Sequence, residues 1–247
     1  MTVPTKAIIL AAGVGRRLGG DITQPPKCLL EFGGKSLLHR HLELLWKCGV
    51  SEVALGVGYQ AERINTAIEN FYPRPKIFME YNEAYELGSI VTLWVLRRHL
   101  KTSDDLLLMD ADVLYHQWIL ERLIQTDHRN CFLMDRDLEA GEEPMKLCVR
   151  QGKLVEFRKQ VTVATDFCGE SVGFFRFAPH TAHKLLITVE HYVNGGRSNE
   201  PYEEAVRDVL LTEPQAFGFE DITGIPWIEI DFQEDVETAQ NKILPQI

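Results

Sequence analysis

The sequence of 247 residues predicts an α/β fold: a mixed, mostly parallel sheet covered by helices on both faces, with an antiparallel excursion late in the chain. Three observations predict it. Short apolar runs alternate with helix-spaced runs through the first half, the β-α-β-α rhythm that parallel crossovers produce. After about residue 130 that rhythm gives way to hairpin-like pairs. The length, with 45% hydrophobic and 25% charged residues, suits one large globular domain that buries a core without metal or disulfide staples.

Residues 6–12 are a brief, fully apolar strand. The run is too short for a signal-peptide core, and Gly13, Gly15, Arg16 and Arg17 follow it instead of a cleavage site. A glycine-containing stretch leads on to Pro25-Pro26-Lys27. Ser36 is placed to cap a helix carrying Leu37, Leu38, Leu42, Leu45 and Trp46 at helical spacing, and Gly49 ends it. Residues 53–57 read as a strand, 60–71 as a helix, 76–80 as a strand and 89–100 as a helix. A buried strand at 106–109 feeds straight into Asp110-Ala111-Asp112. Beyond residue 130, segments 145–150 and 153–159 flank Gln151-Gly152 as a hairpin, and 171–177 is a further strand. Helices follow at 179–191 and 201–211, then a strand at 225–231 and a C-terminal helix at 233–242. The 201–211 helix buries Tyr202, Ala205, Val206, Val209 and Leu210, which turns Glu203 and Glu204 away from the core. No repeat or linker intervenes, so 1–247 reads as a single domain with halves at 1–130 and 131–247.

Lys and Arg number 26 against 36 Asp and Glu, a net charge of −10. That balance argues against nucleic acid and anionic membranes as partners, since both are bound through clustered cations. No apolar run approaches the ~18–20 residues of a membrane span. The first 27 residues nonetheless hold Lys6, Arg16, Arg17 and Lys27 against Asp21 alone, a local basic patch for a small anion. Cys28, Cys48, Cys131, Cys148 and Cys168 are odd in number and form no CxxC, so they read as reduced thiols of a cytoplasmic protein. His180 and His183 share a helical face, but no partner acids make them a zinc site.

Two stretches carry chemistry. In Leu10-Ala11-Ala12-Gly13-Val14-Gly15-Arg16-Arg17-Leu18, glycines let the backbone approach a polyphosphate and turn its N–H groups toward the oxygens. Arg17 and Lys27 can neutralise charge on a departing pyrophosphate. The stretch lacks the third glycine of a dinucleotide fingerprint and the Gly-Lys-Ser/Thr of a Walker loop. Its spacing alone equally allows a plain glycine turn with solvated arginines. The second stretch is acidic. Asp110 and Asp112 stand at the carboxyl end of a buried strand, where ligands of open α/β sheets collect. Trp227, Glu229 and Asp231 share one face of the late strand, alternating with Ile228 and Ile230. Acids from two strand ends, converging on one hard cation, would suit phosphoryl chemistry. Asp231 is also placed to cap the helix that follows it.

Leu10–Leu18, then Pro26-Lys27, then Cys28-Leu-Leu-Glu-Phe-Gly-Gly-Lys-Ser-Leu-Leu together resemble the opening of the nucleotidyltransferase superfamily. That superfamily carries LAAGxGxRL, then PK, then GGKPLL. Here Ser36 replaces the usual proline, and Arg16 a common Ser or Thr. The resemblance implies a Rossmann-like, three-layer fold of the GT-A type. It implies that Leu10, Ala11, Ala12, Gly13, Gly15, Arg16, Asn82, Gly88 and Ser89 bind the nucleotide and that Arg17 and Lys27 are catalytic. It also implies that Asp112 and Asp231 hold Mg²⁺ with Asp110 behind them, and that Lys159 meets the acceptor phosphate. Gly173 and Glu170, on the strand that closes the acceptor pocket, join Glu203, Glu204, Tyr115 and Trp227 as acceptor-side candidates; an ammonium group could be held there by acids and rings.

Tyr81-Asn82-Glu83, Asp110-Ala111-Asp112 and the compact length are most similar to bacterial cytidylyltransferases, and Glu86-Leu87-Gly88-Ser89 lacks the Gln-Pro of many sugar-nucleotide enzymes. The expectation is therefore transfer of CMP from CTP to a small phosphate- or phosphonate-bearing acceptor, with pyrophosphate released. The alternatives are a sugar-1-phosphate nucleotidyltransferase using another triphosphate, a GT-A glycosyltransferase, or a catalytically dead nucleotide sensor. A homodimer is left open.

Overall fold

The computed structural model describes residues 4–18, 24–69, 71–137 and 144–247; Asp21 of the basic N-terminal patch lies outside them. The first apolar run is β1 (Lys6–Ala11). A small hairpin, β2 (Glu31–Phe32) and β3 (Lys35–Ser36), leads into α1 (Leu37–Lys47). Ser36 caps that helix, its Oγ accepting from the His39 N–H at 3.2 Å. The alternation continues with β4 (Glu52–Val57), α2 (Ala61–Glu69), β5 (Lys76–Tyr81), α3 (Ser89–Val95) and β6 (Leu106–Asp110). The third helix tightens to a 3₁₀ turn over Leu96–Leu100.

The structure adds β7 (Val113–Tyr115), α4 (Gln117–Gln125) and β8 (Cys131–Asp135), which the periodicity does not mark. The two strands are brief and buried along their length, so they show no alternation to read. The hairpin is β9 (Lys146–Arg150) and β10 (Lys153–Arg158), turned at Gln151 and Gly152 with φ of 51° and 72°. The long strand β11 (Phe167–Phe177) follows, then α5 (Pro179–Asn194), α6 (Tyr202–Thr212), β12 (Gly218–Asp221), β13 (Trp227–Glu229) and α7 (Gln233–Thr238).

The main sheet runs β10-β9-β11-β6-β1-β4-β5, with β8 and β12 attached beside β11. Strands β6, β1, β4 and β5 are parallel; β11 runs antiparallel to β6, β8 and β9. The predicted mixed sheet with its late antiparallel part is thus the observed one. Period-two alternation along β1 feeds two cores. Ala7, Ile9 and Ala11 pack with Leu42 and Leu45 of α1, Ile64 of α2 and Leu120 of α4. Ile8 turns the other way, toward Leu93 of α3, Leu185 of α5 and Val206 of α6. A third cluster of Leu18, Phe32, Leu37, Leu114, Ile230 and Ala239 ties the end of the glycine loop to the C-terminal segment.

One expectation is corrected. Cys148 of β9 and Cys168 of β11 are register partners and are joined in a disulfide, their Cα atoms 4.1 Å apart. Cys28, Cys48 and Cys131 remain free thiols. Twenty residues separate the pair in sequence, and only strand pairing places them opposite one another. The cysteine pattern therefore no longer supports a reducing compartment.

Candidate active site

The carboxyl ends of β1 and β6 open onto a cleft with a cavity of about 490 Å³. One wall is the glycine loop: Leu10, Ala12, Gly13, Val14, Gly15, Arg16 and Arg17. The opposite side is Tyr85-Glu86-Leu87 with Ser89 and Thr92, and the acidic end is Asp110, Asp112, Tyr202, Glu203 and Glu229. Gly15 has φ of 67°, and a Cβ there would lie 3.0 Å from Lys27 Cγ. The missing side chain thus lets the Lys27 stem run against the loop. Arg16 reaches over to Glu86 at 3.5 Å, an exposed pair worth little energy.

Strands β7 and β13 pair antiparallel, with Val113 opposite Glu229, and the Ile230 N–H donates to the Asp112 carbonyl at 2.9 Å. This short ladder brings two sequence-distant acidic segments together. Asp112, Glu229 and Asp231 each offer a carboxylate oxygen, all within 4.8 Å of one another. The Lys27 ammonium donates to Asp112 Oδ2 at 2.9 Å and to Asp231 Oδ1 at 2.5 Å, and Arg17 Nη1 donates to Asp231 Oδ2 at 3.0 Å. An all-oxygen donor set already holding a cationic group fits a hard divalent ion such as Mg²⁺.

The electrostatics follow from burial and these pairs. Burial opposes the Lys27 charge, but Asp112 and Asp231 outweigh it and push its pKa above the ordinary lysine value. Burial likewise opposes ionisation of Asp231, yet Lys27 and Arg17 hold it below the usual carboxylate range. At Glu229 the balance reverses: burial, then Asp112 and Asp231, push it up to about 8, against a weaker pull from Lys27. Burial raises Glu203 to about 7. Asp110 is raised well above the usual range by burial, then by Glu203 and Asp112. Cys28, next to Lys27, is pushed up to about 12 by burial and Asp112, so it is no nucleophile.

The structure brings Leu10, Ala12, Gly13, Gly15, Arg16, Arg17, Ser89, Asp110, Asp112 and Glu203 to the cleft wall, with Lys27 and Asp231 joined to Asp112 beside it. Lys159 is half-buried and near enough to favour the charged forms of Glu203 and Asp231. The Asp231 side chain is not a helix cap: Asp235 Oδ2 takes the N–H groups of Asp231 and Phe232 at 2.9 and 2.6 Å.

Several candidates serve other ends. Asn82 is buried; its amide donates to Thr92 Oγ1 at 3.0 Å and its oxygen accepts from the Ala84 N–H at 3.0 Å. It shapes the turn that carries Tyr85 rather than lining the cleft, and Ala11 faces the core. Gly88 lies against another backbone segment, where a Cβ would come 2.1 Å from the Glu200 carbonyl oxygen. Gly173 makes room for Asp110 rather than lining the cleft: its Cβ would fall 2.1 Å from Asp110 Oδ2.

Tyr115 is corrected as an acceptor residue, since it is buried in the core against His41 and Phe174. Glu204 is corrected too: both of its oxygens accept from Arg158, at 2.9 and 2.6 Å. Trp227 Nε1 donates to Asp135 Oδ2 at 2.7 Å, and Glu170 lies opposite Asp135 in the strand register, so both sit at the β8–β11 edge outside the cleft wall. Glu203 does turn from the core, but it is half-buried, with its Oε2 enclosed, and faces the cavity. Glu229 and Tyr202 also line the cleft, beyond the residues that the sequence predicts. The shared face of Trp227, Glu229 and Asp231 marks the first. The second is hidden within an ordinary apolar stripe.

Residues 7–160 match the family model of the MobA-like NTP transferase domain. The chain is 24% identical to the CTP:phosphoglutamine cytidylyltransferase of Campylobacter jejuni, covering 96% of this chain and 99% of that protein. It is 26% identical to the CMP-5'-(3-aminopropyl)phosphonate synthase of Streptomyces rubellomurinus over 98% of this chain, and spans 39% of that longer protein. The fold matches the inositol-1-phosphate CTP transferase from T. maritima with a TM-score of 0.78 at 18% identity, covering 99% of this chain and 96% of the other. It also matches the CTP:phosphocholine cytidylyltransferase from Streptococcus pneumoniae, with a TM-score of 0.73 at 19% identity and coverage of 96% and 98%. With the family model spanning more than half of its length, this chain belongs to the MobA-like NTP transferase domain family and is a nucleotidyltransferase of Rossmann-like fold.

Proposed function

We propose that the protein is a Mg²⁺-dependent cytidylyltransferase that joins CMP from CTP to a small phosphate- or phosphonate-bearing acceptor and releases pyrophosphate. The observation that carries this reading is the meeting of Lys27 and Arg17 with Asp112 and Asp231 beside a glycine loop. Cations for a polyphosphate and oxygens for a metal stand within one cleft. The choice of CTP is supported by the names of relatives that align along nearly the whole chain.

In this reading Asp112, Asp231 and Glu229 hold the ion, which when bound neutralises phosphate charge. The loop N–H groups and Arg17 bind the triphosphate tail, and Lys27 neutralises charge as pyrophosphate departs. An ionised acceptor oxygen attacks the α-phosphorus in line with the leaving group. That oxygen is already an anion near neutral pH, so the site needs positioning and not a strong base. Lys159 steers the acceptor phosphate. Glu203 faces the cavity with a buried Oε2 that has no hydrogen-bond partner among the described residues, which favours an acceptor carrying a cationic group at the other end. Neither half carries a complete site, so 1–247 acts as one catalytic unit.

A matrix of nucleoside triphosphates against acceptors, read by pyrophosphate release, tests this. CTP with an aminoalkyl phosphonate or phosphocholine should react. Release with another triphosphate and a sugar 1-phosphate would select the sugar-nucleotide reading, and no release with any triphosphate would overturn both.

A further inference from the structure

Two of the three acids proposed to hold the metal are already paired with the protein's own cation. Lys27 Nζ lies 2.9 Å from Asp112 Oδ2 and 2.5 Å from Asp231 Oδ1, with Arg17 on the remaining Asp231 oxygen at 3.0 Å. The lysine is not a loose surface group: its side chain is only 16% exposed, and its stem is held against Gly15 of the phosphate loop. A divalent ion held by the same carboxylates would face the like charge of the ammonium at close range and compete with it for them. Lys27 would then be left buried without its counter-charges, which is costly unless another anion takes their place. The cleft beside it is walled by the phosphate loop, and the anion that fits there is a polyphosphate.

We infer that Lys27 is an internal counter-ion that keeps the divalent cation out of the empty cleft and yields the carboxylates only when a triphosphate arrives to receive it. The inference rests on the proposed metal site and adds an order to it: ion and nucleotide enter together. It also separates two jobs of one side chain. Lys27 excludes the ion before binding and contacts phosphate afterwards. By linkage, nucleotide tightens ion binding by the same factor as the ion tightens nucleotide binding.

Binding of Mn²⁺ to the nucleotide-free protein, followed by the EPR signal of free Mn²⁺, tests the inference without any turnover. The wild type should bind weakly. Lys27→Met, which keeps the stem and removes the charge, should bind Mn²⁺ at least about tenfold more tightly, within the usual range of coupling between two sites. Lys27→Gln should do the same, and provides the test if the methionine variant does not fold. Lys27→Arg keeps the charge and should keep the ion out. Adding Asp112→Asn to Lys27→Met should abolish the gain. Equal Mn²⁺ affinity in wild type, Lys27→Met and Lys27→Gln would overturn the counter-ion role. In that case loss of Mn²⁺ from the CTP-bound protein on Asp112→Asn would still uphold the metal site itself. A gain that survives Asp112→Asn would place the ion elsewhere and overturn both.

Discussion

The Tyr202 hydroxyl donates to Asp110 Oδ2 at 2.8 Å, joining the first turn of α6 to the carboxyl end of β6 at the acidic end of the cleft. The contact depends on a third element. Gly173 of β11, with φ of 76°, leaves the space that Asp110 occupies. Asp110 thus sits in a socket made by two strands and a helix from both halves of the chain. Burial and the neighbouring acids Glu203 and Asp112 favour its neutral form.

If Asp110 is held as a neutral acid, an amide of the same shape should replace it in the empty protein at little cost. Asp110→Asn should change stability to denaturant by less than about 1 kcal/mol at pH 7, whereas Asp110→Ala leaves the buried Tyr202 hydroxyl unpaired and should cost about 1–3 kcal/mol. Equal losses from the two variants would show that the charge, and not the hydrogen bond, holds this corner together.

Gly173→Ala should be worse than its size suggests. The new Cβ would stand 2.1 Å from Asp110 Oδ2, on a backbone conformation that residues with a side chain rarely adopt. We expect a loss of about 2–4 kcal/mol in equilibrium unfolding, and a cleft deformed enough to abolish pyrophosphate release. A variant of normal stability and activity would contradict the socket.

The first half of this fold was legible because each parallel strand is a separate apolar run followed by a helix-spaced stretch. The 6–12 run holds β1, and Ser36 caps α1 as its position predicts. The site was legible where chemistry is local, as in the glycine loop and Asp110-Ala111-Asp112. It was not legible where function depends on pairing. The β7–β13 ladder that adds Glu229 to Asp112 and Asp231, and the β9–β11 register that joins Cys148 to Cys168, both link residues with no sequence relation. Tyr115 misled for the complementary reason: it follows the acidic segment closely in sequence, yet its ring turns back into the core.

Lys27 and Arg17, the basic side chains paired with Asp231, should differ in weight. Among the described residues, Lys27 is largely buried and bridges Asp112 and Asp231, whereas Arg17 is 46% exposed and meets Asp231. Lys27→Ala should lower turnover by about 10³-fold or more, as expected for loss of a buried charge that acts on the departing group. Arg17→Ala should lower it by about 10–10²-fold, because solvent screens an exposed cation. Steady-state pyrophosphate release measures both, and a larger loss for Arg17→Ala would reverse the proposed roles.

His41, packed against Tyr115 behind the acidic segment, couples stability to pH. Its ring is fully buried on α1, with centroids 5.3 Å from Tyr115 and 5.8 Å from Phe174. Burial lowers its pKa from 6.5 to about 4. The unfolded chain therefore binds a proton between pH 6.5 and 4 that the folded protein refuses. Stability from this group is complete above pH 6.5 and is lost as the pH falls toward 4. Between pH 7 and pH 5 the loss amounts to about 2 kcal/mol. His41→Leu should be destabilised at neutral pH, since Leu lacks the ring that meets Tyr115 and Phe174. It should nevertheless lose about 2 kcal/mol less than the wild type between pH 7 and pH 5. Denaturant unfolding of both proteins at the two pH values isolates the term, because other titrating groups cancel in the difference. Parallel losses in the two proteins would mean that His41 takes up its proton within the folded core.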